Sequence, residues 1–234
     1  MDPDISASWL LKGYFDFSAQ DPHHTTTLGI KADLCASLSL PKDGLQTAQF
    51  PVGPSWKHIF WWREGKVDYA EAQFFAAVSA THPVLSLGVA VEKGLEGRAR
   101  RPTQLMDRAT WDWPRLVEHL PVVLSADVAA TAAALRAPIN VRIRSKGSVE
   151  DDTEAAWTTR AFSFVDGGWF ERHVGRVEPD EISEYVRGLD GQRDLWAIVH
   201  FARDLAPAEA DGLSPSGAAA LLIAFDGIRR RLRP

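Results

Sequence analysis

The chain has 234 residues, 45% of them apolar and 24% charged, with a formal net charge of −5. That length buries a substantial core, and the composition excludes a globally disordered chain. The acidic balance argues against indiscriminate binding to nucleic acid or anionic membrane, which favours a strong positive field, but leaves room for a local basic patch.

In chain order, Trp9, Leu11, Phe15 and Phe17 sit in a segment of alternating character, so Ser8–Phe17 is expected as a strand with Gly13 as a bulge. Pro22 and Thr25-Thr26-Thr27 then introduce a helix with Leu28, Leu34, Cys35 and Leu38 on its apolar side, ended by Pro41 and Gly44. The aromatic run from Lys57 to Arg63 predicts a strand, and Glu64-Gly65-Lys66 a turn. Val67–Ala80 fits a return strand or a helix equally. Val84–Val91 is apolar on both faces, as a central strand covered on each side would be.

Gly94–Pro102 is a loop carrying Arg98, Arg100 and Arg101. Trp113-Pro114 opens a short helix through Leu120 that Pro121 interrupts. Ser125 or Asp127 then caps an alanine-rich helix ending at Leu135. Asn140–Lys146 alternates Val141 and Ile143 against Arg142, Arg144 and Lys146, the pattern of a strand. The acidic run from Glu150 to Glu154 is a solvated loop. Trp157–Val165 and Trp169–Val174 make a hairpin across Asp166-Gly167-Gly168. Pro179 starts a helix with Ile182, Tyr185, Val186 and Leu189 at helical spacing. Leu195–Phe201 is a strand. Ser214-Pro215 opens a last helix with Leu221, Phe225, Ile228 and Leu232 as its stripe, and four arginines gather at its C-terminal end.

Strands and helices mixed in this way, with hairpins, predict the class α+β. The expected architecture is a mixed, mainly antiparallel sheet with helices packed on it and a C-terminal amphipathic helix. One globular domain over 1–234 is expected, with a weak seam near 146–153 where two lobes would part.

Nine tryptophans stand out: Trp9, Trp56, Trp61, Trp62, Trp111, Trp113, Trp157, Trp169 and Trp196. Each buries a large apolar area and carries one N–H that seeks a partner, which suits cores, interfaces and floors for flat ligands. Trp61 and Trp62 are adjacent and so point to opposite faces of a strand, leaving one of them for solvent, a partner or a second layer. Cys35 is the single cysteine, so no disulfide forms within the chain. Its apolar neighbours suit a small buried hydrophobe better than a nucleophile. Met1-Asp2-Pro3-Asp4 has no basic and apolar leader pattern, and runs such as Ala218–Phe225 are too short to span a bilayer. A cytoplasmic setting without a membrane is expected.

No phosphate-binding glycine loop, dinucleotide fingerprint, nucleophile elbow or zinc helix occurs. For a metal-dependent nuclease, carboxylates and a lysine would gather around Mg²⁺, and Asp68, Glu71, Glu92 and Lys93 are the available set. Glu92 and Lys93 are adjacent, so a strand would turn them to opposite faces. Histidines are scattered, with His23-His24 in a polar turn and His58 and His200 inside aromatic strands.

The basic residues carry more. Arg142, Arg144 and Lys146 share a strand face, and Arg160 and Arg172 join them if the hairpin pairs alongside. Guanidinium groups present paired donors to phosphate or carboxylate, and Trp157 or Trp169 would stack on a base or aromatic group. Arg98, Arg100 and Arg101 form a second basic cluster. Solvated outer faces are the plain alternative for both.

The expected function is a non-catalytic binding or assembly subunit that contacts a protein or anionic partner through tryptophans and arginine clusters. A protein partner or a second copy of the chain fits this, and nucleic acid fits the local basic face. The competing expectation is a divalent-metal-dependent nucleic-acid enzyme, the one case in which Mg²⁺ would enter as a cofactor. A small-molecule pocket built from tryptophan and histidine is a third.

Overall fold

The computed structural model describes residues 25–49, 56–64, 71–79, 84–93, 112–147, 157–193, 195–211 and 213–233. Helix α1 (Thr25–Ser37) precedes strands β1 (Gln46–Gln49), β2 (Trp56–Arg63), β3 (Gln73–Ser79) and β4 (Leu85–Lys93). Helix α2 (Trp113–Val122) continues through a π-helical segment (Val123–Asp127) into α3 (Val128–Leu135). Strands β5 (Ile139–Lys146), β6 (Thr158–Val165), β7 (Gly168–Glu171) and β8 (Gly175–Val177) follow, then α4 (Pro179–Asp190) and β9 (Trp196–Leu205). Three short helices close the chain: α5 (Pro207–Asp211), α6 (Pro215–Ile223) and α7 (Asp226–Leu232).

The class is α+β. The strands hydrogen-bond in the order β1-β2-β3-β4-β9-β5-β6-β7-β8. The pairings β1–β2, β2–β3, β5–β6, β5–β9, β6–β7 and β7–β8 are all antiparallel. The described residues divide into two compact units. The expected strand Ser8–Phe17 and the loops at Glu64–Lys66, Gly94–Pro102 and Glu150–Glu154 lie wholly or largely outside the described residues.

The first unit holds α1, β1 to β3, β4 up to Gly88, β9 from Arg203, α5 and α6. Its β2 buries Phe60, Trp61 and Trp62 in succession, so both faces of that strand are covered. Trp61 and Trp62 are only 2% and 0% exposed, which removes the expectation that one of them faces solvent or a partner. Trp61 stands opposite Phe75 on β3, their rings 5.7 Å apart. The Trp62 indole N–H donates to the Thr27 carbonyl of α1 at 3.3 Å, tying helix to sheet. Gly29 allows α1 to approach α6, because a Cβ there would lie 3.2 Å from the Pro215 Cβ. The Ser214 hydroxyl caps α6 by accepting from the Gly217 N–H at 3.0 Å.

The second unit holds residues 71–72, β4 from Val89, α2 through β8, α4, β9 up to Ala202, and α7. Pro121 does not end its helix, as the sequence suggested. The helix runs through it and widens, with the Val128 N–H reaching back five residues to the Val123 carbonyl. Neither expected cap operates. Ser125 instead donates to the Pro121 carbonyl at 2.7 Å, and Asp127 makes no side-chain cap. Trp113–Leu135 has the length and composition to cross a membrane. Its buried side chains, among them Leu116, Leu120 and Val123, belong to helices that pack with α4 and α7.

The single C-terminal helix expected from the sequence is two helices, α6 and α7, separated at Ala224-Phe225. Arginines of the second and of its C-terminal cap are engaged by carboxylates. Arg229 and Arg230 bind Asp226, Arg231 binds Asp127, and Arg233 binds Glu71 at 3.2 Å.

Candidate anion-binding face

Within the second unit, β5 separates two kinds of side chain by simple alternation. Ile139, Val141 and Ile143 are buried on one face. Asn140, Arg142, Arg144 and Lys146 take the other. Directly opposed residues share a face, so the register extends this one outward. Ser163, Ala161 and Thr159 of β6 oppose Asn140, Arg142 and Arg144. On the other side, His200, Ile198 and Trp196 of β9 oppose Arg142, Arg144 and Lys146. Ser163 in turn opposes Phe170 of β7, and Phe170 opposes Arg176 of β8. The Arg172 N–H donates to the Ala161 carbonyl at 3.3 Å, setting its backbone beside the row that holds Arg142.

None of these positions carries an aspartate or glutamate. The face therefore concentrates five cations, Arg142, Arg144, Lys146, Arg172 and Arg176, on a chain whose net charge is −5. Its inner half is covered and its outer half is open. Arg144, Lys146 and His200 are buried, whereas Thr159, Phe170, Arg172 and Arg176 are exposed.

The inner cations are held by aromatic rings. The Arg144 guanidinium lies 4.4 Å from the Trp157 ring centroid and the Lys146 ammonium 4.8 Å from it. Lys146 is also 5.9 Å from the Trp196 ring. Arg144 Nε donates to the Thr159 hydroxyl at 3.4 Å. Burial, and then the positive charges of Arg142 and Arg144, push the His200 imidazole well below its ordinary value. A neutral imidazole thus faces the guanidinium of Arg142 across the β5–β9 pair.

The outer half is shaped by two turns. Asp166 and Gly167 both have positive φ, 49° and 78°, as a two-residue hairpin turn of type I′ requires. Gly168 already belongs to β7. The next turn, Arg172 to Val174, places His173 at φ 70° and leaves Val174 69% exposed. A surface cavity of 360 Å³ is lined by Val165, Asp166, Gly167, Gly168, Phe170 and Arg176.

The sequence grouped other residues here that the structure separates. Arg160 opposes Ile143, so it lies on the far face. There it binds Glu171 through two hydrogen bonds of 2.7 and 2.6 Å and stacks on Tyr185 at 4.6 Å. The bonds to Arg160 hold the Glu171 carboxyl below its ordinary range, and the same pairing raises Arg160. Trp169 is also on that face, 3% exposed, with its N–H on the Leu124 carbonyl at 3.3 Å and its ring against Phe164. Neither residue contributes to the basic face. Arg98, Arg100 and Arg101 lie outside the described residues.

The described members of the carboxylate and lysine set are engaged separately. Asp68 lies outside the described residues, and Glu71 is engaged by Arg233. Glu92 is buried in β4. The Lys93 ammonium donates to the backbone carbonyls of Leu189 at 3.1 Å, Gln192, and Leu195 at 3.5 Å. Among the described residues, no three of histidine, cysteine, aspartate and glutamate stand close enough to hold a metal ion.

Phe170 and Arg176 were missed from the sequence. The signal was present in the spacing, because Gly175-Arg176-Val177 pairs back on β7 after a three-residue turn. A three-residue strand is too short to show alternation. No protein-family model, no curated protein and no solved structure matches the chain.

Proposed function

We propose that this chain is a non-catalytic binding or assembly subunit, acting in the cytoplasm, whose basic sheet face docks an anionic partner. The observation that carries this reading is the contrast between a run of opposed sheet positions rich in cations and the acidic whole. The opposed positions from Trp196 to His200 of β9 across β5 and β6 to Arg176 of β8 carry five cations with Arg172 and no carboxylate, Asp204 lying further along β9 where it accepts from the Ser86 hydroxyl at 2.6 Å. This creates a local positive potential that the net charge conceals. Arginine supplies planar paired donors for phosphate or carboxylate. The commitment of Lys93 to three carbonyls supports a non-catalytic reading over the metal-dependent one.

Binding of fluorescent polyanions to the full chain tests this. The variant Arg172→Gln/Arg176→Gln changes exposed charge and leaves the stacked residues in place. It is expected to bind at least roughly 10-fold more weakly than the wild type at low salt. Equal affinity of the two proteins would remove the face from the function.

A further inference from the structure

The open half of the basic face has a shape as well as a charge. Its middle strand, β6, contributes Thr159, Ala161 and Ser163 as the floor of a trough, and Val165 at its hairpin end. Arg142 borders it on one side and Phe170 on the other, with Arg176 just beyond. Two strand spacings separate β5 from β7, so the trough is about 10 Å across. That admits one extended chain and excludes a duplex.

Phe170 is 43% exposed and stands directly opposite Arg176. A single exposed phenylalanine on a protein surface is ordinary. This one lies on a sheet face between two arginines that have no ion pair among the described residues. A positively charged groove with an aromatic platform is the arrangement that binds single-stranded nucleic acid: cations follow the phosphates, and bases stack on the ring. The cavity beside Phe170 has the apolar Val165 and the bare backbone of Gly167 and Gly168 in its wall. Asp166 is also in that wall, and its carboxylate is available to accept from base N–H groups.

We infer that the trough over β6 binds a single-stranded nucleic acid, with a base stacked on Phe170 and phosphates held by Arg172 and Arg176. This rests on the anion-binding reading of the same face. An acidic peptide would use the two arginines but would gain little from the phenylalanine ring.

Fluorescence anisotropy on the full chain decides it, using a labelled 20-nucleotide single strand, the same sequence as a duplex, and a glutamate-rich peptide of equal charge. The single strand is expected to bind at least about 10-fold tighter than either competitor. Phe170→Ala is expected to weaken it by roughly 5- to 100-fold. Phe170→Leu, which retains an apolar side chain without a ring, should do much the same. Circular dichroism checks the fold of both variants. Replacing Arg172 or Arg176 by Gln should reduce the slope of log affinity against log salt by about 0.7 each. Duplex or peptide binding as tight as the single strand, or wild-type affinity in both Phe170 variants, overturns the inference. If the peptide binds through Arg172 and Arg176 and the single strand does not, the inference falls and the anion-binding reading stands. If none of the three probes binds, both fall.

Discussion

Arg144 and Arg160 sit on paired strands, yet one register position sends them to opposite faces and different lives. Arg144 opposes Thr159 and stacks on Trp157, while Arg160 opposes Ile143 and closes a two-bond pair with Glu171. The face of Arg142, Arg144 and Lys146 was legible because alternation within one strand is local. The far-side place of Arg160 was not, because the register of a hairpin depends on which residues form its turn. His200 shows what burial beside cations does. Its imidazole is held neutral in the fold and has an ordinary pKa near 6.5 when unfolded. The unfolded state therefore gains a proton that the folded state refuses, and the stability present above pH ~6.5 is lost as pH falls toward the depressed folded value. Denaturant titrations should show a smaller loss of stability on acidification for His200→Gln than for the wild type. An equal loss in both would show that His200 is not the group responsible.

At the level of elements, boundaries follow hydrogen-bonding groups more closely than residue propensities. Pro121 lacks an N–H and was expected to end a helix. Instead the ladder loosens into the π segment, where the Ser125 hydroxyl bonds back to the Pro121 carbonyl, and in α3 the Thr131 hydroxyl bonds back to that of Asp127. This accommodation depends on tertiary packing and leaves no mark in the local sequence. The Ser214 cap is the contrary case, since a serine before proline announces a helix start that the structure contains. Ser214→Ala is expected to cost about 1 kcal/mol in urea unfolding, and Ser214→Asp to restore most of it. No change in Ser214→Ala would mean the cap is redundant. The stripe Phe225, Ile228 and Leu232 was read correctly from its spacing. Leu221, placed with them, is only half-buried, and Leu222 lies in the core instead.

On the scale of the whole molecule, the class was legible from hairpins and mixed periodicities, but the central order β4-β9-β5 was not. Those strands are far apart in sequence, and nothing local records which distant strands meet. The same holds for α7, whose arginines reach Glu71 and Asp127, residues remote along the chain. Removing residues 226–234 takes away buried Ile228 and Leu232 and leaves both carboxylates without these partners. Each lost aliphatic side chain costs roughly 2–5 kcal/mol, against a total stability of about 5–15 kcal/mol for an ordinary domain. The truncated chain is expected to lose its near-ultraviolet circular dichroism. A native-like spectrum with a sharp melting transition would show α7 to be dispensable.

Cys35 sits in α1 at 2% exposure, its sulfur 3.7 Å from the Lys42 carbonyl. It is the one thiol in 234 residues. A thiol-reactive reagent can modify it only when the first unit opens around α1, so the labelling rate under native conditions is a clock for that opening. One mass increment per chain reports it, with no engineered probe and no contribution from the unit that carries the basic face.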